Sequence, residues 1–275
     1  MFTLKSRNQQ RMLSKPLIMG IVNCTNDSFY ASSRLLHEHE LKDRISEMVD
    51  AGVDIIDIGG QSTRPGSVQV TEFVEIDRVD FAISYVSASH PQTWISIDTT
   101  RAAVARYAVE HGAHMVNDIS GGEMDSSMIS TVASLNVPFV CTHMQGRPET
   151  MQDDPAYTDV AEEVLSFFTH KIQACHLAGI KDVIVDPGFG FGKRIEHNYA
   201  LVQQLDRFQA LGCPVLVGFS RKSMIYNLLN TTPEHALNGT TVLNTIALLK
   251  GAMILRVHDV REAAETIKIV EMLKK

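Results

Sequence analysis

The sequence predicts a single-domain α/β fold, the parallel (β/α)8 (TIM) barrel, and three observations lead there. Eight short apolar runs each stop at a polar residue, helical stretches separate them, and 275 residues match one such barrel in size. Runs rich in Ile and Val read as parallel strands buried on both faces. The first, Pro16–Val22, stops at Asn23, and the second, Val53–Ile58, at Gly59-Gly60-Gln61. Trp94–Ile97 stops at Asp98, and Ala113–Val116 at Asn117 and Asp118. Val137–Thr142 gives way to His143, and Val183–Val185 to Asp186. Pro214–Phe219 ends at Ser220, and Ala252–Leu255 at Arg256 and His258. Barrel active sites sit at strand C-termini, so these polar stops are predicted to share one mouth.

The intervening segments carry helix punctuation. Gly52, Gly112, Gly212 and Gly251 fall one or two residues before predicted strands and Gly179 four, and Asn136 takes that place before another. Both residue types tolerate the left-handed conformation that ends helices. The third strand follows His90-Pro91 instead. Helical period places Leu41, Ile45, Met48 and Val49 on one face, then Leu201, Leu205 and Phe208, then Val242, Ile246 and Leu249. A last helix over about 261–273 closes the outer ring. Residues 1–14 read as a polar N-terminal extension and 15–275 as the barrel. The long strand-to-helix connections, approximately 24–37, 59–71 and 143–158, fall where barrel sites are built.

Bulk properties narrow the partners. A net charge of −7 argues against a nucleic-acid ligand, because phosphate binding needs a clustered basic face. No apolar stretch is long enough to cross a membrane, and the polar start lacks the apolar segment of a signal peptide. Cys24, Cys141, Cys175 and Cys213 are widely spaced, so a reducing cytoplasm is expected.

The chemistry-bearing residues cluster at strand ends. Arg64, Arg221, Lys222, Arg256 and His258 put cations at one mouth of an acidic chain, which suits a phosphate- or carboxylate-bearing substrate. Arg256 has a second reading, pairing with a barrel carboxylate. Ser220-Arg221-Lys222-Ser223 is predicted to open a helix whose N–H groups favour an anion. Asp98, Asn117 and Asp186 end separate strands, and together such acceptors can grip a flat heterocycle with several N–H donors. Gly188-Phe-Gly-Phe-Gly-Lys193 is no phosphate loop, because Pro187 replaces the first glycine and Arg194 the hydroxyl residue. His37-Glu38-His39 cannot place both imidazoles on one helix face, and Ser220 and Ser223 show no Ser-His-Asp arrangement.

From Leu17 to Val260 the chain resembles the dihydropteroate synthase family. The resemblance rests on an ordered set of segments. They are Met19-Gly-Ile-Val-Asn23, Asp57-Ile-Gly-Gly-Gln-Ser-Thr-Arg-Pro-Gly66, Ile97-Asp98-Thr99 and Asn117-Asp-Ile-Ser-Gly-Gly122. His143-Met-Gln-Gly146, Asp186-Pro-Gly-Phe-Gly-Phe-Gly-Lys193, Ser220-Arg-Lys-Ser-Met224 and Arg256-Val-His-Asp-Val260 complete it. It implies a reaction in folate biosynthesis: p-aminobenzoate displaces pyrophosphate from (7,8-dihydropterin-6-yl)methyl diphosphate, giving dihydropteroate. By the same resemblance Asp98, Asn117, Asp186 and Lys222 hold the pterin, and Asn23 binds Mg2+ as cofactor. Thr63, Arg64, Arg256 and His258 surround the diphosphate with Asn23, while Phe29, Thr63, Pro65, Lys222 and Ser223 receive p-aminobenzoate. Asp98, Lys222, Arg256 and His258 are the implied catalytic residues. The family further implies a homodimer and a sulfonamide target.

The first loop departs from the family pattern. The usual Thr-Pro-Asp-Ser-Phe-Ser-Asp-Gly-Gly reads Thr25-Asn26-Asp27-Ser28-Phe29-Tyr30-Ala31-Ser32-Ser33 here, and Gln61 replaces a glutamate. Two rival readings follow. A pterin-dependent methyltransferase shares the barrel and the pterin acceptors but does not need Thr63-Arg64-Pro65 or the Ser220–Ser223 segment. A catalytically idle pterin-binding paralogue would fit the altered loop.

Overall fold

Each apolar run contributes a strand to one parallel sheet. In the computed structural model, residues 2–25, 31–62, 69–148 and 150–273 are described, with backbone alone for 31–35. An antiparallel hairpin, β1 (Phe2–Ser6) and β2 (Gln9–Leu13), precedes the sheet. The sheet strands are β3 (Leu17–Asn23), β4 (Ile55–Gly59), β5 (Trp94–Asp98), β6 (Met115–Asp118), β7 (Phe139–Thr142), β8 (Val183–Asp186), β9 (Leu216–Val217) and β10 (Ile254–Val257). Their order is β8-β7-β6-β5-β4-β3-β10-β9, and a parallel bridge between Val185 and Val215 brings the two edges together. β9 is the shortest strand. Pro214 has no N–H to give, and only its carbonyl joins the seam, accepting from Val185 N at 3.0 Å.

The connections are helical: α1 (Ala31–Asp50), α2 (Glu72–Ser89), α3 (Ala102–Glu110), α4 (Met128–Leu135) and α5 (Val160–Ala178). Then come α6 (Ile195–Gln203), α7 (Ser223–Tyr226), α8 (Leu237–Leu249) and α9 (Val260–Leu273). Thr71 caps α2 and Asp159 caps α5, the latter accepting from Ala161 N and Glu162 N. Gly52, Gly112, Gly179, Gly212, Gly251 and Asn136 all have positive φ, as helix stops require.

Three expectations are corrected. The connection read as 24–37 ends sooner, because α1 begins at Ala31; no proline or glycine interrupts residues 31–40. Leu205 and Phe208 do not continue the helix of Leu201 but lie in a 3₁₀ turn, Leu205–Leu211, where both are still buried. On α8 the core face is Leu243, Ala247 and Leu248, with Thr240 and Asn244, while Val242 and Leu249 are 50% and 55% exposed. Apolar residues occur on several faces of α8, so spacing alone does not choose one.

Two hydrophobic layers organise the barrel. A large one lies between sheet and helices, and a smaller one fills the interior. The interior layer takes Leu17 and Met19 from β3, then Ile55, Trp94, Met115, Val140, Ile184, Leu216 and Ile254, so every barrel strand contributes. Leu4 and Leu13 of the hairpin join it. The N-terminal segment thus plugs the end of the barrel where the strands begin. Arg11 fixes the plug, donating to the carbonyls of Asp54 and Gln92 at 2.7 and 2.8 Å and lying over the Trp94 ring.

Candidate active site

Strand alternation turns this apolar floor into a polar mouth. Residues two apart on a strand share a face, so above the inward Ile55 comes Asp57, and above Trp94 come Ser96 and Asp98. Met115 is followed by Asn117, Val140 by Thr142, Ile184 by Asp186 and Ile254 by Arg256. Each of these six strands changes character within one or two inward positions.

Arg256 is the hub of this layer. Its Nε donates to Asp57 Oδ2 at 2.6 Å and its NH2 to Asp98 Oδ2 at 2.5 Å. Asn117 Nδ2 donates to the same Asp57 oxygen at 3.0 Å. The barrel-carboxylate reading of Arg256 therefore holds, and one guanidinium nitrogen, NH1, is committed to neither carboxylate. Burial opposes the Arg256 charge, but Asp57 and Asp98 outweigh it and hold the group protonated. Burial pushes the Asp98 carboxyl up to about 7, against Arg256 and with the help of the Asp57 charge. Asp57 Oδ1, Ser96 Oγ and Thr142 Oγ1 are buried with no partner among the described residues. Such atoms are costly, and here they line the inner face of the mouth.

The opposite wall comes from the loops after β8 and β9. Asp186 accepts from Gly188 N at 2.8 Å, and burial raises its carboxyl, with Lys222 opposing. Lys222 Nζ donates to Phe189 O at 2.5 Å and sits 4.6 Å above the Phe191 ring. Burial and the Arg256 charge pull it down to about 8, against Asp186 and Asp98. Gly188 has φ +69°, and a Cβ there would lie 1.9 Å from the His143 carbonyl oxygen, so only glycine fits. Lys193 turns inward rather than toward the mouth. Its Nζ meets the carbonyls of Gly188 and Phe191 at 3.0 Å each, that of His143 at 3.2 Å, and His143 Nδ1 at 2.9 Å. The segment that resembles a phosphate loop is thus held by its own lysine.

Arg221 is a correction. It was expected among the anion-binding cations, but it forks onto Asp259, Nε to Oδ2 at 3.0 Å and NH2 to Oδ1 at 2.9 Å. Its NH1 reaches the carbonyls of Pro233 and Glu234. The predicted helix after Ser220 is only the four-residue α7, with Lys222 as N-cap and Ser223 exposed at its start. Its dipole is correspondingly small. His258 is partly buried, its Nδ1 lying 2.9 Å from Ser220 Oγ; burial, then the Arg256 charge, lower it to about 4. A serine–histidine contact therefore does exist, but among the described residues no carboxylate bonds the His258 ring to complete a triad.

Comparison with known proteins identifies the assembly. The family described as pterin binding enzyme matches residues 19–258. A dihydropteroate synthase of Escherichia coli (strain K12) is 42% identical over 264 residues, covering 94% of this chain and 92% of that relative. This chain belongs to the dihydropteroate synthase family. It is an enzyme, a transferase. The Yersinia pestis dihydropteroate synthase, solved in complex with a sulfonamide drug, has TM-score 0.91 and 38% identity, with 99% of each chain covered. The Xanthomonas albilineans enzyme, solved with 4-aminobenzoic acid (p-aminobenzoate), has TM-score 0.90 and 36% identity, covering 99% of this chain and 98% of that one.

Of the family residues expected from sequence, Asp98, Asn117, Asp186, Lys222, Arg256 and His258 come together at the C-terminal mouth. Asn23 ends β3 at the same level, with its side chain exposed. Phe29, Thr63, Arg64 and Pro65 lie outside the described residues. Gln61, which replaces the family glutamate, accepts from Val70 N at 2.9 Å and closes the base of the second loop. Asp57 was not singled out, although an acid inside the run Ile55–Ile58 was a signal. Glu75 was also missed. It is buried beneath the second loop and accepts from Thr99 Oγ1 and Arg101 NH1, both at 2.7 Å. Asp118 has outward parity and holds its own loop through Ser120 and Gly122 rather than facing the mouth.

Proposed function

We propose that this mouth performs the reaction of its family, joining (7,8-dihydropterin-6-yl)methyl diphosphate to p-aminobenzoate with loss of pyrophosphate. The observation that carries the reading is the convergence of Asp98, Asn117, Asp186, Lys222 and Arg256 from five separate segments. Asp98, Asn117 and Asp186 accept the pterin N–H groups, and Lys222 donates to its acceptor edge. Breaking the C–O bond leaves positive charge on the pterin methylene and negative charge on diphosphate, an SN1-like separation. The Asp98 carboxylate supports the cation. Arg256 NH1, together with His258, Asn23, Thr63 and Arg64, receives the departing oxygens. The aryl amine is neutral and needs positioning more than prior deprotonation; Phe29, Thr63, Pro65, Lys222 and Ser223 supply it. Its nitrogen then bonds to the methylene carbon and releases a proton.

Mg2+ fits the donor set at the mouth. No group of three or more His, Cys, Asp or Glu that could hold a metal occurs among the described residues. Mg2+, however, is commonly held by one or two protein oxygens plus substrate phosphates and water. Asn23 Oδ1 would be the protein oxygen, and the bound ion would neutralise diphosphate charge.

No described helix is long and apolar enough to cross a membrane, and all four cysteines are free and buried, which supports a cytoplasmic enzyme. A homodimer is proposed through α8 and α9, which pack side by side and leave Val242, Leu249, Ile269 and Met272 at least half exposed. Pyrophosphate release should require p-aminobenzoate. None with it would favour the idle paralogue or the methyltransferase, and equal release without it would mean hydrolysis and overturn the synthase reading.

A further inference from the structure

We propose that Ser220 is a positioning residue that fixes His258 in the tautomer protonated at Nε2, so that the ring offers an N–H donor to the diphosphate. The inference deepens the synthase reading of His258 and rests on it. The argument is a proton count. A hydroxyl has one proton and two lone pairs. Ser220 Oγ accepts from the backbone N–H of His258 at 3.1 Å and lies 2.9 Å from His258 Nδ1. A backbone N–H can only donate, so one lone pair is committed. If Nδ1 also carried a proton, Oγ would accept twice and its own proton would be left without a partner among the described residues. Ser220 is buried, and that loss would be expensive. The consistent arrangement has Ser220 donating to Nδ1, which leaves the ring proton on Nε2.

The placement of the hydroxyl is fixed from several directions. β9 and β10 pair in register, Leu216 with Ile254 and Val217 with Leu255. Directly beyond, Arg221 forks onto Asp259, so residues 220–221 are bound to residues 258–259 by two consecutive side-chain contacts. Arg221 adopts φ +55°, a left-handed conformation unusual for arginine, which the fork and a bond from its N–H to Thr240 Oγ1 hold in place. Arg44 NH2 donates to the His258 carbonyl at 2.7 Å. The ring is kept neutral by burial. A neutral imidazole has a single N–H, and its tautomer decides whether the exposed nitrogen donates or accepts. An Nδ1-protonated ring would present a lone pair to an anion, which is repulsive.

The test begins with long-range proton–nitrogen correlation spectra of the full-length protein carrying ¹⁵N-histidine, recorded near neutral pH without substrate. The expected pattern for His258 is Nε2–H with an unprotonated Nδ1, and in Ser220→Ala a shift toward mixed tautomers. Kinetically, Ser220→Ala should lower kcat/KM for the dihydropterin diphosphate about tenfold, the scale of one hydrogen bond to a charged group. The KM for p-aminobenzoate should stay unchanged. Ser220→Thr keeps the hydroxyl and should restore both tautomer and rate, and adding Ser220→Ala to His258→Ala should cost nothing further. Nδ1–H in the unaltered protein, or unchanged spectra and rates in Ser220→Ala, overturns the proposal while the synthase reading stands. Failure of the unaltered protein to release pyrophosphate overturns that reading instead, and the spectra still decide the tautomer.

Discussion

The two ends of the barrel interior use the same strands and the same inward parity, yet they are built by different physics. At the closed end Leu4 and Leu13 join a cluster to which every strand contributes an apolar side chain or more. Those contacts are non-directional and add up area by area. At the open end Asp57, Asn117, Asp98 and Arg256 depend on one another through directed bonds of 2.5–3.0 Å. The lower end therefore tolerates change in proportion to volume, whereas the upper end behaves as a unit.

The largest expected effect is at Asp57. Asp57→Ala removes the oxygen shared by Asn117 and Arg256, and breaking a buried ion pair costs about 3–5 kcal/mol. Urea unfolding should show that loss together with loss of turnover; a loss of stability alone would detach Asp57 from the site. Next is Asp98→Asn, which should cut turnover by about 10²–10³-fold, the scale of one preorganised electrostatic contact. Because Asp98 is assigned to the pterin, the KM for p-aminobenzoate should hardly move. Equal turnover would remove Asp98 from the mechanism. At the other end Leu13→Ala should cost about 2–3 kcal/mol by cavity formation, with both KM values intact. A changed KM there would mean that floor and mouth are coupled.

The smallest effect is in pH. Asp98 is raised to about 7 and must be ionised to support a cation, so kcat/KM for the pterin substrate should fall as pH drops through that value. Lys222 is lowered to about 8, so its charge, and the rate, should decline as pH rises past it. Lys222→Arg should push the alkaline limb upward. A profile flat from about pH 6 to 9 would contradict both assignments.

Strand count, helix stops and mouth residues were legible because each rests on a local rule: an apolar run, a positive-φ position, a polar residue at a strand end. Asp98, Asn117 and Asp186 needed nothing more. What stayed hidden depends on partners distant in sequence. Arg221 follows a strand end as Lys222 does, but Asp259, on the neighbouring loop, takes its charge away from the mouth. Asp57 lies among isoleucines and reads as part of a strand until Arg256 and Asn117 are seen beside it. The hairpin was read as a polar extension because only Leu4 and Ser6 of β1 and Leu13 of β2 are buried, too few for a visible alternation.

That hairpin carries a consequence for the order of assembly. During synthesis it precedes every barrel strand, yet two members of the cluster it joins, Leu216 and Ile254, belong to the last strands to be made. Its seat does not exist until the ring has closed. Leu4 and Leu13 therefore wait in water through most of translation, and their docking is a late, long-range event whose loss would expose a greasy well at the base of an otherwise finished enzyme.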